Sequence, residues 1–428
     1  MVIRTRRTSR FAASVASVLV ACILLAGCSA DSADPVRVPG PPTTAALPAA
    51  LQKQLRTAVT DAMKATDSPA AIVTVTAPWS GTWTAALGVT TPGGKTPVTT
   101  DMTFRAGQIT RAMTCDALYR VAAEGKVKLT DSIADFMDGI SSLKAATLGD
   151  LCDSTSGMGT YGGQLAADEL DNPARQWDPN ELIAYGLGTT RDDVSPGDVY
   201  RSSDAGYVLL GQALQKATGQ TPSQLLANQV FRPLGLTHTT LPGDAANDPV
   251  AGGSTALPGY VVQPNAKGVL QCKAPADITT MSASFGSTDS GVVTDITDLS
   301  TYVRALAAGG LVPDKTRFQN ALAVSSAGPV WFTAAGGAVK AGTLIGQYGK
   351  MPGYLTAAFS EPTSGLTVAV VLDNSTADRT LILSLAWELA ALASKAPAAA
   401  GKTAPAAGLP WTADTYAKKV TAHPVCGS

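Results

Sequence analysis

Phe104-Arg105-Ala106-Gly107-Gln108-Ile109-Thr110-Arg111 runs without a break into an apolar helical stretch, Ala112 to Ala123, followed by Glu124-Gly125-Lys126. Two polar side chains, Gln108 and Arg111, stand one helical turn apart at the start of that helix. Their chemistry is restrictive. A carboxamide cannot attack a carbonyl carbon, and a guanidinium does not release its proton inside a protein.

Outward from this stretch, the pattern alternates between strands and helices. A helix is expected at Ala50–Ala65, with Leu51, Leu55, Val59 and Met63 on one face. Two strand-like runs follow, Ala70–Thr76 and Thr82–Val89, with Pro78-Trp79-Ser80-Gly81 as the turn between them. Residues 110–325 read mostly as helices and loops. Strand patterns return at Pro329–Thr333, Ala338–Gln347, Tyr354–Ser360 and Leu366–Leu372, before an apolar helix, Arg379 to Ser394. The first and last parts therefore share one antiparallel sheet. The expected class is α+β, with sheet parts at 49–105 and 325–395, a mostly helical part at 106–324, and a cleft at their junction. Residues 396–428 read as linker and tail.

With 45% hydrophobic and 15% charged residues, the chain can bury a sizeable core. A formal net charge of −1 provides no field to attract nucleic acid. The N-terminus places Arg4, Arg6, Arg7 and Arg10 before the apolar run Phe11–Leu25, the layout of a signal peptide over residues 1–27. Leu25-Ala26-Gly27-Cys28 resembles the lipobox of bacterial lipoproteins, in which the cysteine thiol receives the lipid. Residues 28–48 are then a lipidated Cys28 and a disordered tether, spanning at most roughly 60 Å if extended. The expected location is the outer face of the bacterial cytoplasmic membrane. Export makes two disulfides among Cys115, Cys152, Cys272 and Cys426 the natural state, in one of three pairings. No Cys-x-x-Cys occurs, and the two histidines, His238 and His423, are far apart, so neither a metal nor a cofactor is expected.

The order of several longer stretches resembles the serine β-lactamase and D,D-peptidase superfamily, especially its class C branch, over roughly residues 50–395. Glu124–Asp131 is similar to that family's loop after the nucleophile helix. Leu151-Cys152-Asp153-Ser154-Thr155-Ser156-Gly157-Met158 is similar to its Leu-Leu-x-His-Thr-Ser-Gly-Leu. Ala205-Gly206-Tyr207-Val208-Leu209-Leu210-Gly211, Phe231–Leu236 and Pro352-Gly353-Tyr354 follow in the same order. The resemblance implies a β-lactamase/transpeptidase-like fold. It also implies that the helix carrying Cys115 packs against the segment carrying Cys152, giving the pairs Cys115–Cys152 and Cys272–Cys426.

Three family motifs carry the chemistry, and each is altered here. Ser-x-x-Lys has become Gln108 and Arg111. Tyr-x-Asn has become Ser202-Ser203-Asp204, and the His-x-Gly or Lys-x-Gly of the inner strand reads Gln347-Tyr348-Gly349. Acyl transfer needs a nucleophile beside a neutral base. The resemblance thus implies a scaffold that has lost its hydrolase chemistry and is not expected to act as an enzyme. A bidentate Arg111–Asp204 salt bridge is expected across the site. The backbone N–H groups of Gln108 and Lys350, which form the family's oxyanion hole, are expected to persist as a ligand site.

Three functions follow from these readings. The leading one is an envelope lipoprotein that binds a peptidoglycan stem peptide, another envelope acyl ligand or an envelope protein. The second is an active serine hydrolase, a carboxypeptidase or esterase, using another nucleophile such as Ser202. The third is a structural partner-binding module. Ser141-Ser142-Leu143-Lys144 and Lys340-Ala341-Gly342 match the motifs formally but out of order, and His238 reads as a turn residue.

Overall fold

The computed structural model describes Arg37 and residues 44–426, apart from 141, 142, 192, 315, 406 and 407. The signal segment and Cys28 lie outside the described residues, as do Ser141 and Ser142. The principal elements in chain order are α1 (Ala49–Thr66), β1 (Ala70–Ala77), β2 (Gly81–Gly88), β3 (Phe104–Arg105), α2 (Ile109–Ala123), α3 (Leu148–Cys152), α4 (Gly162–Asp171), α5 (Pro179–Gly188), α6 (Asp204–Thr218), α7 (Ser287–Ser290), β4 (Val293–Thr294) and α8 (Ile296–Ala308). They continue through β5 (Leu322–Ala323), β6 (Phe332–Ala335), β7 (Ala338–Ala341), β8 (Leu344–Met351), β9 (Tyr354–Ser360), β10 (Thr367–Leu372), α9 (Arg379–Ala393) and α10 (Ala413–Thr421).

Eight strands form one antiparallel sheet in the order β2-β1-β10-β9-β8-β7-β6-β5. The first hairpin and the last therefore meet at β1 and β10, where Val73 faces Val370. The central strands β1, β9 and β10 are buried on both faces, as their β-branched and alanine-rich sequences allow. Period-two alternation sends Val73, Val75, Leu355 and Val370 to one core, shared with Leu55 of α1 and Leu385 of α9. Ile72, Ala358, Ala369 and Val371 face the other core, shared with Met113 of α2 and Leu299 of α8. The result is a sheet between two helical layers, the α+β architecture expected.

Some boundaries differ from the sequence reading. The single strand expected over Ala338–Gln347 is two strands, folded back at Gly342, whose φ of +58° suits a glycine. The strand expected at Pro329–Thr333 begins only at Phe332. Part of the expected tether is packed: Thr82 donates to the Ala45 carbonyl, and Leu47 is 2% exposed.

The tail is also structured. Trp411 stacks against Trp331 and Trp387 at 4.7 and 5.2 Å, and its indole N–H donates to the Trp387 carbonyl. Helix α10 follows, capped by Thr412, and the chain is tied back by Cys272–Cys426. The second disulfide joins Cys115 of α2 to Cys152 of α3. No described helix is long and apolar enough to cross a membrane.

Candidate functional site

Helix α2 is buried on every side from Ile109 to Leu118, so its polar residues must find partners inside the protein. Gly107 leads into it at φ +57°, where a Cβ would approach the Lys350 backbone and Thr356. This turn presses the N-terminus of α2 against the inner strand β8. Gln108 consequently lies over Gly349: a Cβ at Gly349 would come within 1.7 Å of the Gln108 carboxamide oxygen. Gly349 is the one position of the third motif that retains the family residue, and here its missing side chain makes room for Gln108.

The Lys350 backbone N–H donates to Gln108 Oε1 at 2.6 Å. Of the two N–H groups expected to persist as a ligand site, the one at Lys350 is therefore already engaged. A carboxamide carbonyl from the chain itself occupies the position where a ligand carbonyl would take the Lys350 hydrogen bond. Sequence reasoning treated Gln108 as an inert replacement and missed that its side chain is long enough to reach back.

Arg111 is 4% exposed and is engaged on several sides. Its Nε donates to Asp289 Oδ1 at 2.7 Å, its Nη1 donates to Ser202 Oγ at 2.8 Å, and its guanidinium lies 4.9 Å from the Tyr207 ring centre. The expected Arg111–Asp204 bridge is not formed. Asp204 stands at the first position of α6 and turns toward the α4 entrance. Its Oδ1 accepts from Tyr161 N–H at 2.8 Å, and its Oδ2 accepts from Gly162 N–H at 2.8 Å and from the Thr160 hydroxyl. With the Ala205 N–H on Oδ1 as well, four donors satisfy that carboxylate, so the guanidinium pairs with Asp289 of α7 instead.

Burial alone would depress the Arg111 pKa, and the surrounding acidic groups, Asp289 foremost, together more than reverse this. Burial pushes the Asp289 carboxyl upward, with Arg111 pulling against it. The pair is an opposed, buried ion pair, because the guanidinium cannot be the group that neutralises.

Gln108, Arg111, Ser202, Asp204 and Lys350 line one cleft of about 570 Å³, joined by Glu169, Asp289, Asp378 and Arg379. Gln347, the remaining motif position, points away. Its Nε2 donates to the Gly337 carbonyl and its Oε1 accepts from Tyr348 N–H. Lys350 extends along the cleft wall, with Nζ donating to the Ser375 carbonyl at 3.3 Å. Burial lowers its ammonium pKa; Asp378 opposes this and Arg379 adds to it. A second groove of about 650 Å³, between α9, α10 and Phe332, contains none of the motif positions.

His238, Asp295 and Asp298 bring ligand atoms within 4.8 Å of one another, a cluster the sequence did not reveal. Each acid already has a structural task. Asp295 caps α8, and Asp298 accepts from the His238 N–H and the Thr239 hydroxyl. None of the three lines the cleft.

A sheet closed by its first and last strands, with a buried helix whose start abuts an inner strand beside a cleft, is the architecture of the penicillin-recognising serine hydrolases. Residues 55–392 match the sequence profile of the family described as Beta-lactamase, and the chain belongs to that family. It is similar to Penicillin-binding protein 4 of Amycolatopsis lactamdurans, 28% identical over 172 residues that cover 39% of this chain and 43% of that protein. It is also similar to D-alanyl-D-alanine-carboxypeptidase/endopeptidase AmpH of Escherichia coli K12, 26% identical over 36% of this chain and 40% of that one. The matches thus span less than half the length of these curated relatives. The solved D-stereospecific amidohydrolase from Streptomyces sp. superimposes with a TM-score of 0.65 at 24% identity, over 79% of this chain and 98% of that one, a likeness of fold.

The carboxypeptidase/endopeptidase and the amidohydrolase bear the names of hydrolases, which corrects the expectation that the chain is not an enzyme. What the residues establish is narrower: Gln108 is no nucleophile, and Arg111 is no neutral base.

Proposed function

We propose that this protein is a lipid-anchored envelope protein whose cleft recognises acylated D-amino-acid peptide ends of the kind found in peptidoglycan stems. The observation that carries this reading is the cleft itself. It lies at the family's site and is lined by the cations Lys350 and Arg379. Lys350 and Arg379 suit a ligand carboxylate, since both are donors without an acceptor. The curated relatives named for D-alanyl-D-alanine support the ligand class, and the Cys28 lipobox supports the anchor. Calorimetric titration of the purified full chain with an acetylated peptide ending in D-alanyl-D-alanine tests the proposal. Saturable binding, weakened by Lys350→Ala, is expected; no binding by the wild type defeats it.

A second reading is favoured by one contact. Arg111 Nη1 donates to Ser202 Oγ, which leaves the hydroxyl proton free to be taken by a base and places a cation beside the oxygen. In this reading the Ser202 oxygen bonds to the acyl carbon of the reagent, the lactam C–N or ester C–O bond breaks, and the hydroxyl proton passes to the departing nitrogen or oxygen. A fluorescent penicillin or activated ester would then label the wild type and a Gln108→Ala variant but not Ser202→Ala. Labelling that survives Ser202→Ala overturns it.

A further inference from the structure

Helix α4 buries one face, and the two residues on it, Leu165 and Glu169, are spaced one turn apart. Leucine is ordinary there; glutamate is not. Glu169 is 3% exposed, it lines the cleft near Leu170, Val261 and Phe285, and its Oε1 has no hydrogen-bond partner among the described residues. An unpartnered carboxyl oxygen held out of water is costly, about 1–3 kcal/mol. No hydrogen bond among the described residues offsets that cost at Oε1.

The charged and titratable groups whose fields reach Glu169 are Arg105 of β3 and Tyr161 at the entrance to α4. Arg105 sends its Nη2 to the carbonyls of Asn247, Thr279 and Met281, and it acts on Glu169 through its charge alone. The Tyr161 hydroxyl donates to the Phe285 carbonyl. Burial holds the Glu169 carboxyl well above the usual carboxylate range, with Arg105 pulling the other way. A carboxyl that keeps its proton presents an O–H donor and a C=O acceptor side by side. Its complement offers an acceptor and a donor in the same spacing and carries no charge. A ligand ammonium would meet the field of Arg105. A ligand carboxylate would need a cation, and Arg105, although its buried Nε has no hydrogen-bond partner, does not line the cleft.

Resting on the cleft as the ligand site, we propose that Glu169 forms the floor of a subsite for a neutral carboxamide arm of the ligand. The test uses three acetylated tripeptides ending in D-alanyl-D-alanine, whose first residue is L-glutamine, L-glutamate or L-lysine, titrated into the full chain by calorimetry. The glutamine peptide is expected to bind about tenfold more tightly than either of the others, the worth of one to two buried hydrogen bonds. Glu169→Leu removes the preference. Glu169→Gln keeps it, because a carboxamide still offers donor and acceptor, and makes it independent of pH. In the wild type the preference weakens as rising pH ionises Glu169. Equal binding of the three peptides overturns the subsite and leaves the cleft reading standing. A preference for the lysine peptide that disappears in Glu169→Gln overturns the carboxamide assignment. If none of the three binds, the cleft reading fails and the subsite with it.

Discussion

Arg111 of α2 and Asp289 of α7 meet at 2.7 Å with side chains only 5% and 2% exposed. Neither charge reaches bulk water, so each depends on the other. Removing one partner of such a pair leaves an uncompensated buried charge, whereas removing both does not. Asp289→Ala is therefore expected to cost about 3–5 kcal/mol in urea unfolding. The double variant Arg111→Met with Asp289→Leu should cost clearly less than the sum of the two single changes. Additive losses would show that the pair carries no coupling.

Gln108 Oε1 and the Lys350 backbone N–H form the second relationship that governs the cleft. A ligand carbonyl must displace the chain's own carboxamide before it can take that donor. Gln108→Ala vacates the position, and affinity for a peptide ending in D-alanyl-D-alanine should rise about fivefold, the worth of one hydrogen bond no longer contested. Unchanged affinity would mean that ligand carbonyls do not use the Lys350 donor.

The fold was legible because its signals are local and periodic. The hairpin Ala70–Gly88, the strands Tyr354–Ser360 and Thr367–Leu372 and the helix from Arg379 each fall close to where alternation or helical spacing puts them. The cleft was legible only in part. Gln108, Arg111, Ser202, Asp204 and Lys350 all line it, but which of them pair does not follow from chain position. Asp204 was the obvious anion for Arg111, yet backbone donors at Tyr161 and Gly162, in a loop forty residues away, claim it first. Asp289 sits in Ser287-Thr288-Asp289-Ser290, where only a lone acid in an otherwise uncharged stretch hints at a buried partner. Glu169 could have been noticed from its one-turn spacing to Leu165. The helix within the tail was not legible because Ala and Pro dominate the stretch before it, and Trp411, which docks it, is a single residue.

The docked tail depends on Cys272–Cys426, which closes a loop of 154 residues. Chain-entropy reasoning assigns such a link about 5 kcal/mol, against about 4 for Cys115–Cys152. Paired Cys272→Ser and Cys426→Ser changes should lower stability and increase amide exchange in α10 ahead of the rest of the domain. Uniform exchange throughout the chain would show that the aromatic stack of Trp331, Trp387 and Trp411 holds the tail without the link.

Glu388 of α9 is pushed up to about 7, first by burial and then by the charges of Asp61 on α1 and Asp414 on α10. The folded protein therefore holds this proton more tightly than the unfolded chain. The contribution to stability is fully present below about pH 4.5 and is lost as pH rises through about 7. With part of the field coming from solvent-screened acids, the loss is about 1–3 kcal/mol. Glu388→Gln should flatten that stretch of the stability profile and leave the variant more stable than wild type at about pH 8. Parallel profiles for the two proteins would rule out Glu388 as the source.

Rebuilding the family's nucleophile and base tests how far the buried ion pair shapes the cleft. Gln108→Ser supplies a hydroxyl and also clears the Lys350 donor, while Arg111→Lys supplies an amine that could in principle lose its proton. Asp289 stays in place, however, and a carboxylate at ion-pair distance opposes the loss of the amine proton that burial would otherwise favour. The two-site variant should therefore remain unlabelled by fluorescent penicillin at position 108. Adding Asp289→Asn removes the anion while keeping a hydrogen-bonding side chain, so the amine can act as a base. The three-site variant is expected to acquire label at position 108, located by peptide mass spectrometry. Equal labelling of the two-site and three-site proteins would show that Asp289 does not set the protonation of the residue at position 111.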